Sequence, residues 1–269
     1  VMDMKFAIAS YLWLIDQLHK EDSLAAHDLG IMITADEEIG GYNGVAYLLN
    51  KQGFGCDVAV IPDGGHEWRM EEFAKGIQWV KLESFGEAGH ASKPWEGGTN
   101  AIPPLLDALE DIRKLVPPNP GHEDTLLSVG TIEGGEAANQ LAPYASAVLD
   151  IRLANHEDYE QLFPHIEAIC EHHGINADLL VSDPPCVNDP GNPYIEQFRA
   201  LITETVGREP GSWYGYAAHD GRHFSAHNIP CIIVHPPAGG WHGAEEWLST
   251  EGFAQFCQLL QKYVRQTAC

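Results

Sequence analysis

The sequence predicts an α/β domain made of two chain segments, with a smaller α+β domain inserted between them at about 77–187. Three observations carry this. Short, almost wholly apolar runs at 29–35, 56–61 and 231–235 have the pattern of strands covered on both faces. The middle of the chain reads β-α-β-β-α-β, the split arrangement of a ferredoxin-like sandwich. Pro184-Pro185 and the Asp189-Pro-Gly-Asn-Pro193 stretch then mark a return to the first domain.

The elements follow in order. Residues 4–19 read as an amphipathic helix, with Ile8, Leu12 and Ile15 at helical spacing and Leu14 and Leu18 widening the face. The apolar run 29–35 is a strand, an acidic and glycine-rich loop follows, and 45–51 is a helix. The run 56–61 is a second buried strand, and this strand–loop–helix–strand order suggests a parallel sheet. In the insert, 77–84, 125–132, 145–153 and 177–181 are strands, and 100–115 and 158–173 are helices. After the return, 194–206 is a helix, 231–235 a third buried strand, and 250–265 a closing helix. The expected domains are therefore 1–76 with 188–269, and 77–187.

Composition excludes several classes of function. With 269 residues and 44% hydrophobic content the chain can bury a core, and no apolar run reaches the length of about 18 residues that spans a bilayer. A formal net charge of −24 repels phosphate, which argues against nucleic-acid or anionic-membrane partners and leaves small molecules. Six scattered cysteines without a C-x-x-C read as buried thiols in a reducing compartment. That cysteine usage makes a cytoplasmic protein the expectation; no leader is legible in the first residues, which says little because the natural start is expected upstream.

The chemistry gathers after the buried strands. Thr34-Ala-Asp-Glu-Glu-Ile-Gly-Gly41 places three carboxylates beyond a strand's carboxyl end, where open α/β sheets bind ligands. Adjacent carboxylates can divide labour, one binding a cation and one moving a proton. Asp63 follows the second strand and His242 the third, while Asp3 stands just before the first helix, where an N-cap is its ordinary role. Glu37, Glu38, Asp63 and His242 could meet at one sheet edge, and oxygen ligands with one imidazole suit zinc, cobalt or manganese. No local motif such as H-E-x-x-H is present, so the fold must assemble any such site. The other histidines read as surface or satisfied core residues, with His66 and His235 the two to check against the structure.

Over its whole length the sequence resembles the co-catalytic zinc exopeptidase and amidohydrolase family of carboxypeptidase G, acetylornithine deacetylase, succinyl-diaminopimelate desuccinylase, aminoacylase and peptidase T. The resemblance rests on Asp3-Met-Lys5, Thr34-Ala-Asp-Glu-Glu-Ile-Gly40, Asp63, Gly89-His-Ala-Ser-Lys-Pro94, Gly130-x-Ile-x-Gly-Gly135 with Asn139, Asp150-Ile-Arg152, Asp220-Gly-Arg-His-Phe224 and His242, in family order. It implies a zinc-exopeptidase-like catalytic domain, a parallel-rich mixed sheet between helices, with an inserted ferredoxin-like lid that carries a homodimer contact. It further implies two zinc ions, with Asp3 bridging, Asp63 on the first metal, and Glu38 and His242 on the second. By the same resemblance Glu37 is the general base, His90 stabilises the oxyanion, and Arg222 and Asn139 bind substrate, a small peptide or N-acyl amino acid.

Two departures qualify this. The family's H-x-D segment, whose histidine binds the first metal, is expected upstream of Asp3 and is not in this sequence. At most one firmly bound metal is therefore expected, on Glu38 and His242, with Asp3 frayed and peptidase activity weak. The alternative is an inactive family member or a dimeric binding module. In addition, Tyr216-Ala-Ala-His-Asp220 replaces a stretch of small residues, and His219 is expected to crowd the substrate.

Overall fold

The structure is a computed structural model that describes residues 2–215 and 218–267. In chain order its elements are α1 (Lys5–Lys20), α2 (Val45–Asn50), β1 (Ala59–Val60), β2 (Met70–Ala74), β3 (Gly76–Phe85), β4 (Gly89–His90), α3 (Ile102–Ile112), β5 (Leu126–Gly134), β6 (Gln140–Leu141) and β7 (Tyr144–Leu153). There follow α4 (His156–His173), β8 (Asn176–Asp183), β9 (Cys186–Val187), α5 (Pro193–Val206), β10 (Ser212–Gly215), α6 (Gly221–Ser225), β11 (Cys231–Ile232), β12 (Ala238–Gly239), β13 (Trp247–Leu248) and α7 (Thr250–Thr267). The chain divides into two units, Val1–Ala74 with Cys186–Cys269, and Lys75–Pro185. The second division falls just before β9, because β9 pairs with β2 and so belongs to the first unit.

In Lys75–Pro185 a four-stranded antiparallel sheet runs in the order β5-β7-β3-β8. Along β7 every second residue is buried (Ala145, Ala147, Leu149, Ile151 and Leu153), as a strand with one covered face requires. These side chains meet Leu105, Ala108 and Ile112 of α3 and Leu162, Ile166 and Cys170 of α4. Asn155 starts α4 by accepting the Asp158 N–H, and Gly174, at φ 70°, ends it. At one end of the unit β4 pairs with β6, setting His90 opposite Gln140.

The two-segment unit holds the parallel strands. Residues 231–234 are buried on both sides: Ile232 and Val234 join α1, α5 and α7, while Cys231 and Ile233 face Val45 and Leu49 of α2 and Phe224 of α6. This is the doubly covered strand the sequence predicts. Its ladder is short, however, pairing only Ala59 with Cys231 and Val60 with Ile232, in parallel. The run 29–34 forms no strand. Leu29 packs toward one cluster, Met32 toward the other, and Ile33 is 57% exposed, so hydrophobicity alone supplied no partner for a ladder. A second sheet, β10-β2-β9, is not legible in the sequence, because β2 (Met70-Glu-Glu-Phe-Ala74) carries two acidic residues. Of the cysteines, 170, 186, 231 and 257 are buried, Cys56 is exposed, and Cys269 lies outside the described residues. No helix among the described residues is long and apolar enough to cross a membrane.

Candidate metal centre

The three carboxylates of the acidic loop take different roles. Asp36 closes the loop on itself: its Oδ2 accepts the N–H groups of Asn43 at 2.8 Å and Gly44 at 2.9 Å. Glu37 and Glu38 lie on the single 3₁₀ turn Glu37–Ile39, which Gly40 ends in a left-handed conformation. Gly41 also has a positive φ, 66°, and a Cβ there would lie 2.1 Å from Asp220 Oδ1, so only glycine lets the loop pack against α6. From α6, Arg222 Nη2 and His223 Nε2 both donate to the Gly40 carbonyl at 2.9 Å.

His242 rides on the tight loop between β12 and β13, which pair antiparallel. Its φ is 55°, a strained value for a non-glycine residue, and Gly243 N–H donates to the Gly240 carbonyl behind it at 2.9 Å. The loop delivers Nε2 to 2.9 Å from Asp3 Oδ2 and 3.6 Å from Glu38 Oε1. One donor atom each from Asp3, Glu38 and His242 lies within 4.8 Å of the others. Two oxygen donors and one imidazole nitrogen so spaced fit a divalent cation with a further position open to solvent, since His242 and Glu38 are exposed. Asp3 does not cap α1, whose N-cap is Met4 without a side-chain bond. Nor is it frayed as expected: its side chain is only 15% exposed, and its N–H donates to Glu246 Oε1 at 3.3 Å.

Charge accumulates around this group. Burial, and then repulsion from Asp63, Asp220 and Glu38, push Glu37 up to about 7, with Arg222 opposing. Asp63 is pushed up to about 6, first by burial, with His219 opposing and Asp3, Asp220 and Glu71 adding to the rise. Asp63 thus stands within electrostatic reach of Asp3 but outside the three-donor group.

Other predicted residues are placed differently. Arg222 is 3% exposed and turned to the Gly40 carbonyl, so it braces the acidic loop, and the structure does not present it for gripping a substrate carboxylate. His219 does not crowd a substrate: it is 4% exposed, and its Nε2 meets Glu71 Oε1 at 2.6 Å. Tyr216 and Ala217 lie outside the described residues. In the Lys75–Pro185 unit, His90 and Asn139 come together on the β4–β6 ribbon, where Ala91 N–H donates to the Asn139 carbonyl at 2.9 Å. His90 Nδ1 lies 2.9 Å from Ser92 Oγ. His66 stacks on Trp213 with ring centroids 5.0 Å apart. His235 is buried, which lowers its pKa, and its Nδ1–H donates to the Pro236 carbonyl at 2.6 Å.

Comparison with known proteins shows what the chain resembles. The peptidase dimerisation domain of the M20 family matches residues 74–178. Succinyl-diaminopimelate desuccinylase of Stenotrophomonas maltophilia is 25% identical over 98% of this chain and 73% of its own length. Human aminoacylase-1 is 24% identical over 87% of this chain and 62% of its own. The crystal structure of aminopeptidase PepT from Bacillus cereus superposes over all of this chain and 72% of its own, with a TM-score of 0.78 at 20% identity. The chain is similar to M20 peptidases and amidohydrolases over most of its length, at about 25% identity, and the dimerisation-domain match lies within residues 74–178. M20 proteins are metal-dependent peptidases and amidohydrolases, and a non-enzymatic binding module is not favoured.

For a chain similar to metal-dependent peptidases the donor chemistry is coherent, because clustered carboxylates that repel one another are relieved by a cation. Two residues of the unit escaped the sequence reading. Glu71 hides in an acidic pair on β2, and its buried partner is 148 positions away. Glu246 touches main chain 243 and 244 positions away, and no sequence pattern encodes that contact.

Proposed function

We propose that this chain is a metal-dependent hydrolase that cleaves an amide bond in a small peptide or an N-acyl amino acid. The observation that carries it is the approach of Asp3, Glu38 and His242 around one point, with a second glutamate, Glu37, next in the chain. Zinc is the ion these donors suit best, with cobalt or manganese as substitutes, and one ion is what three donors support. When bound, such an ion polarises a carbonyl and lowers the pKa of water toward neutrality. Glu37 takes the proton from the attacking water and passes it to the leaving amine. Arg222 and His223 fix the loop that carries Glu37, through the Gly40 carbonyl. Asp63 adds negative charge beside Asp3, consistent with a place for a second ion.

The Lys75–Pro185 unit is assigned a homodimer contact, supported by its match to a dimerisation domain. His90 and Asn139, neighbours on one ribbon, are assigned to the substrate's carbonyl within that dimer.

The test compares Glu37→Gln with His242→Ala, in this chain together with any segment its gene encodes upstream. With zinc and a panel of N-acyl amino acids and dipeptides, Glu37→Gln should keep its metal and lose about 10²–10⁴-fold in turnover. His242→Ala should lose metal and activity together. Near-parent turnover by Glu37→Gln would overturn the assignment of the base.

A further inference from the structure

We propose that Glu246 is a positioning residue for the metal centre: it clamps the main chain at Met2 and Asp3 and so holds the Asp3 carboxylate against His242. Glu246 Oε1 accepts the Met2 N–H and, at 3.3 Å, the Asp3 N–H. Bonds from amides to a carboxylate are charge-assisted and stronger than neutral ones. The clamp takes the main-chain N–H of Asp3 and leaves its carboxylate available, and Asp3 Oδ2 reaches His242 Nε2 at 2.9 Å.

The clamp and one of the donors share a single loop. Glu246 directly precedes Trp247, whose backbone pairs with Gly239, and His242 lies on the turn between them. The ladder that fixes Glu246 therefore also fixes His242. The start of α1 has no side-chain N-cap; Met2, Phe6 and Ala7 anchor the segment by burial, and the Glu246 carboxylate adds the polar hold on its main chain. The donors that approach within 4.8 Å are Asp3, Glu38 and His242, so Glu246 acts through Asp3.

The inference rests on the metal site proposed above, and its test separates the two. Zinc affinity of the metal-stripped 269-residue chain is measured by competition with a chromophoric chelator, for the parent, Glu246→Ala, Glu246→Gln, Asp3→Ala and the Asp3→Ala/Glu246→Ala double variant. Partners that orient a ligand typically account for 10–100-fold in metal affinity. Glu246→Ala is expected to weaken zinc binding at least about 10-fold, and Glu246→Gln, which keeps the acceptor oxygen, by less than about 3-fold. In the Asp3→Ala background Glu246→Ala should add nothing, because the residue being positioned is gone. A merely structural role would weaken binding equally in both backgrounds and would overturn the clamp. Zinc affinity within twofold of the parent in Glu246→Ala would do the same. If the parent binds no zinc at micromolar concentration, the metal site itself fails and the clamp falls with it.

Discussion

The two units are built on opposite plans. Lys75–Pro185 is dominated by one sheet whose central strands, β3 and β7, pair over ten consecutive positions. The two-segment unit has ladders of two residues between β1 and β11 and between β12 and β13, and its core is mainly three helices, α1, α5 and α7. Long ladders fix a surface, whereas short ladders that end in loops fix points. The candidate metal donors all sit on such loops or at a helix start: Asp3 before α1, Glu38 on a 3₁₀ turn, and His242 between two-residue strands. Chemistry in this protein is placed where regular structure stops, and the regular structure is what makes the stopping points reproducible.

The contrast breaks or sharpens under matched lesions. The largest effects should come from the cores. Leu149→Ala in the insert and Phe198→Ala in the two-segment unit both truncate side chains with 0% exposure, and each should cost about 3–5 kcal/mol in denaturant unfolding. If the plans differ as described, Phe198→Ala should also weaken zinc binding, and Leu149→Ala should not. Equal loss of zinc in both would erase the distinction.

A smaller effect concerns the buried pair Glu71–His219. Burial alone would lower the His219 pKa, but the Glu71 carboxylate at 2.6 Å more than offsets this and raises it to about 9. A histidine whose folded pKa lies above its unfolded value adds stability in full below about pH 6.5. That stability is lost as pH rises through about 9. Denaturant midpoints should therefore fall between pH 7 and 10 in the parent and stay flatter in His219→Gln. Glu71→Gln should cost about 3 kcal/mol near pH 6, because it strands a buried charge.

The smallest effects come from paired helix caps. Asn155 caps α4 through the Asp158 N–H at 2.8 Å, and Asn192 caps α5 through the Tyr194 N–H at 3.0 Å. Each Asn→Ala change should cost about 1 kcal/mol. If calorimetry of the two variants shifts different parts of the unfolding endotherm, the units melt separately; a common shift would make them one cooperative body.

How much of this was legible in the sequence also divides between the units. In the insert, alternation along β7 and helical spacing in α3 and α4 are local signals, and the sequence reading finds all four long strands and both helices. In the two-segment unit the same logic misreads 29–35, because an apolar run is not sufficient for a strand. It also misses β2, because Glu71 is tolerable in a core only with His219 beside it. The grouping of Asp3, Glu38 and His242 follows the motif order, whereas the inward placement of Arg222 was not legible. Its motif marks an arginine without saying that it is buried and donates from Nη2 to the Gly40 carbonyl.

Asp3 and His242 are 239 positions apart, and the whole insert is synthesised between them. Domains tend to fold as they emerge from the ribosome, at about 5–20 residues per second. The sheet of Lys75–Pro185 is then complete while ~60 residues up to Glu246 are still to come, a delay of several seconds. All three long sheet ladders of the insert are synthesised before the last of the three grouped residues, His242. The proposed metal site can be complete only once translation has passed the loop that carries His242 and Glu246.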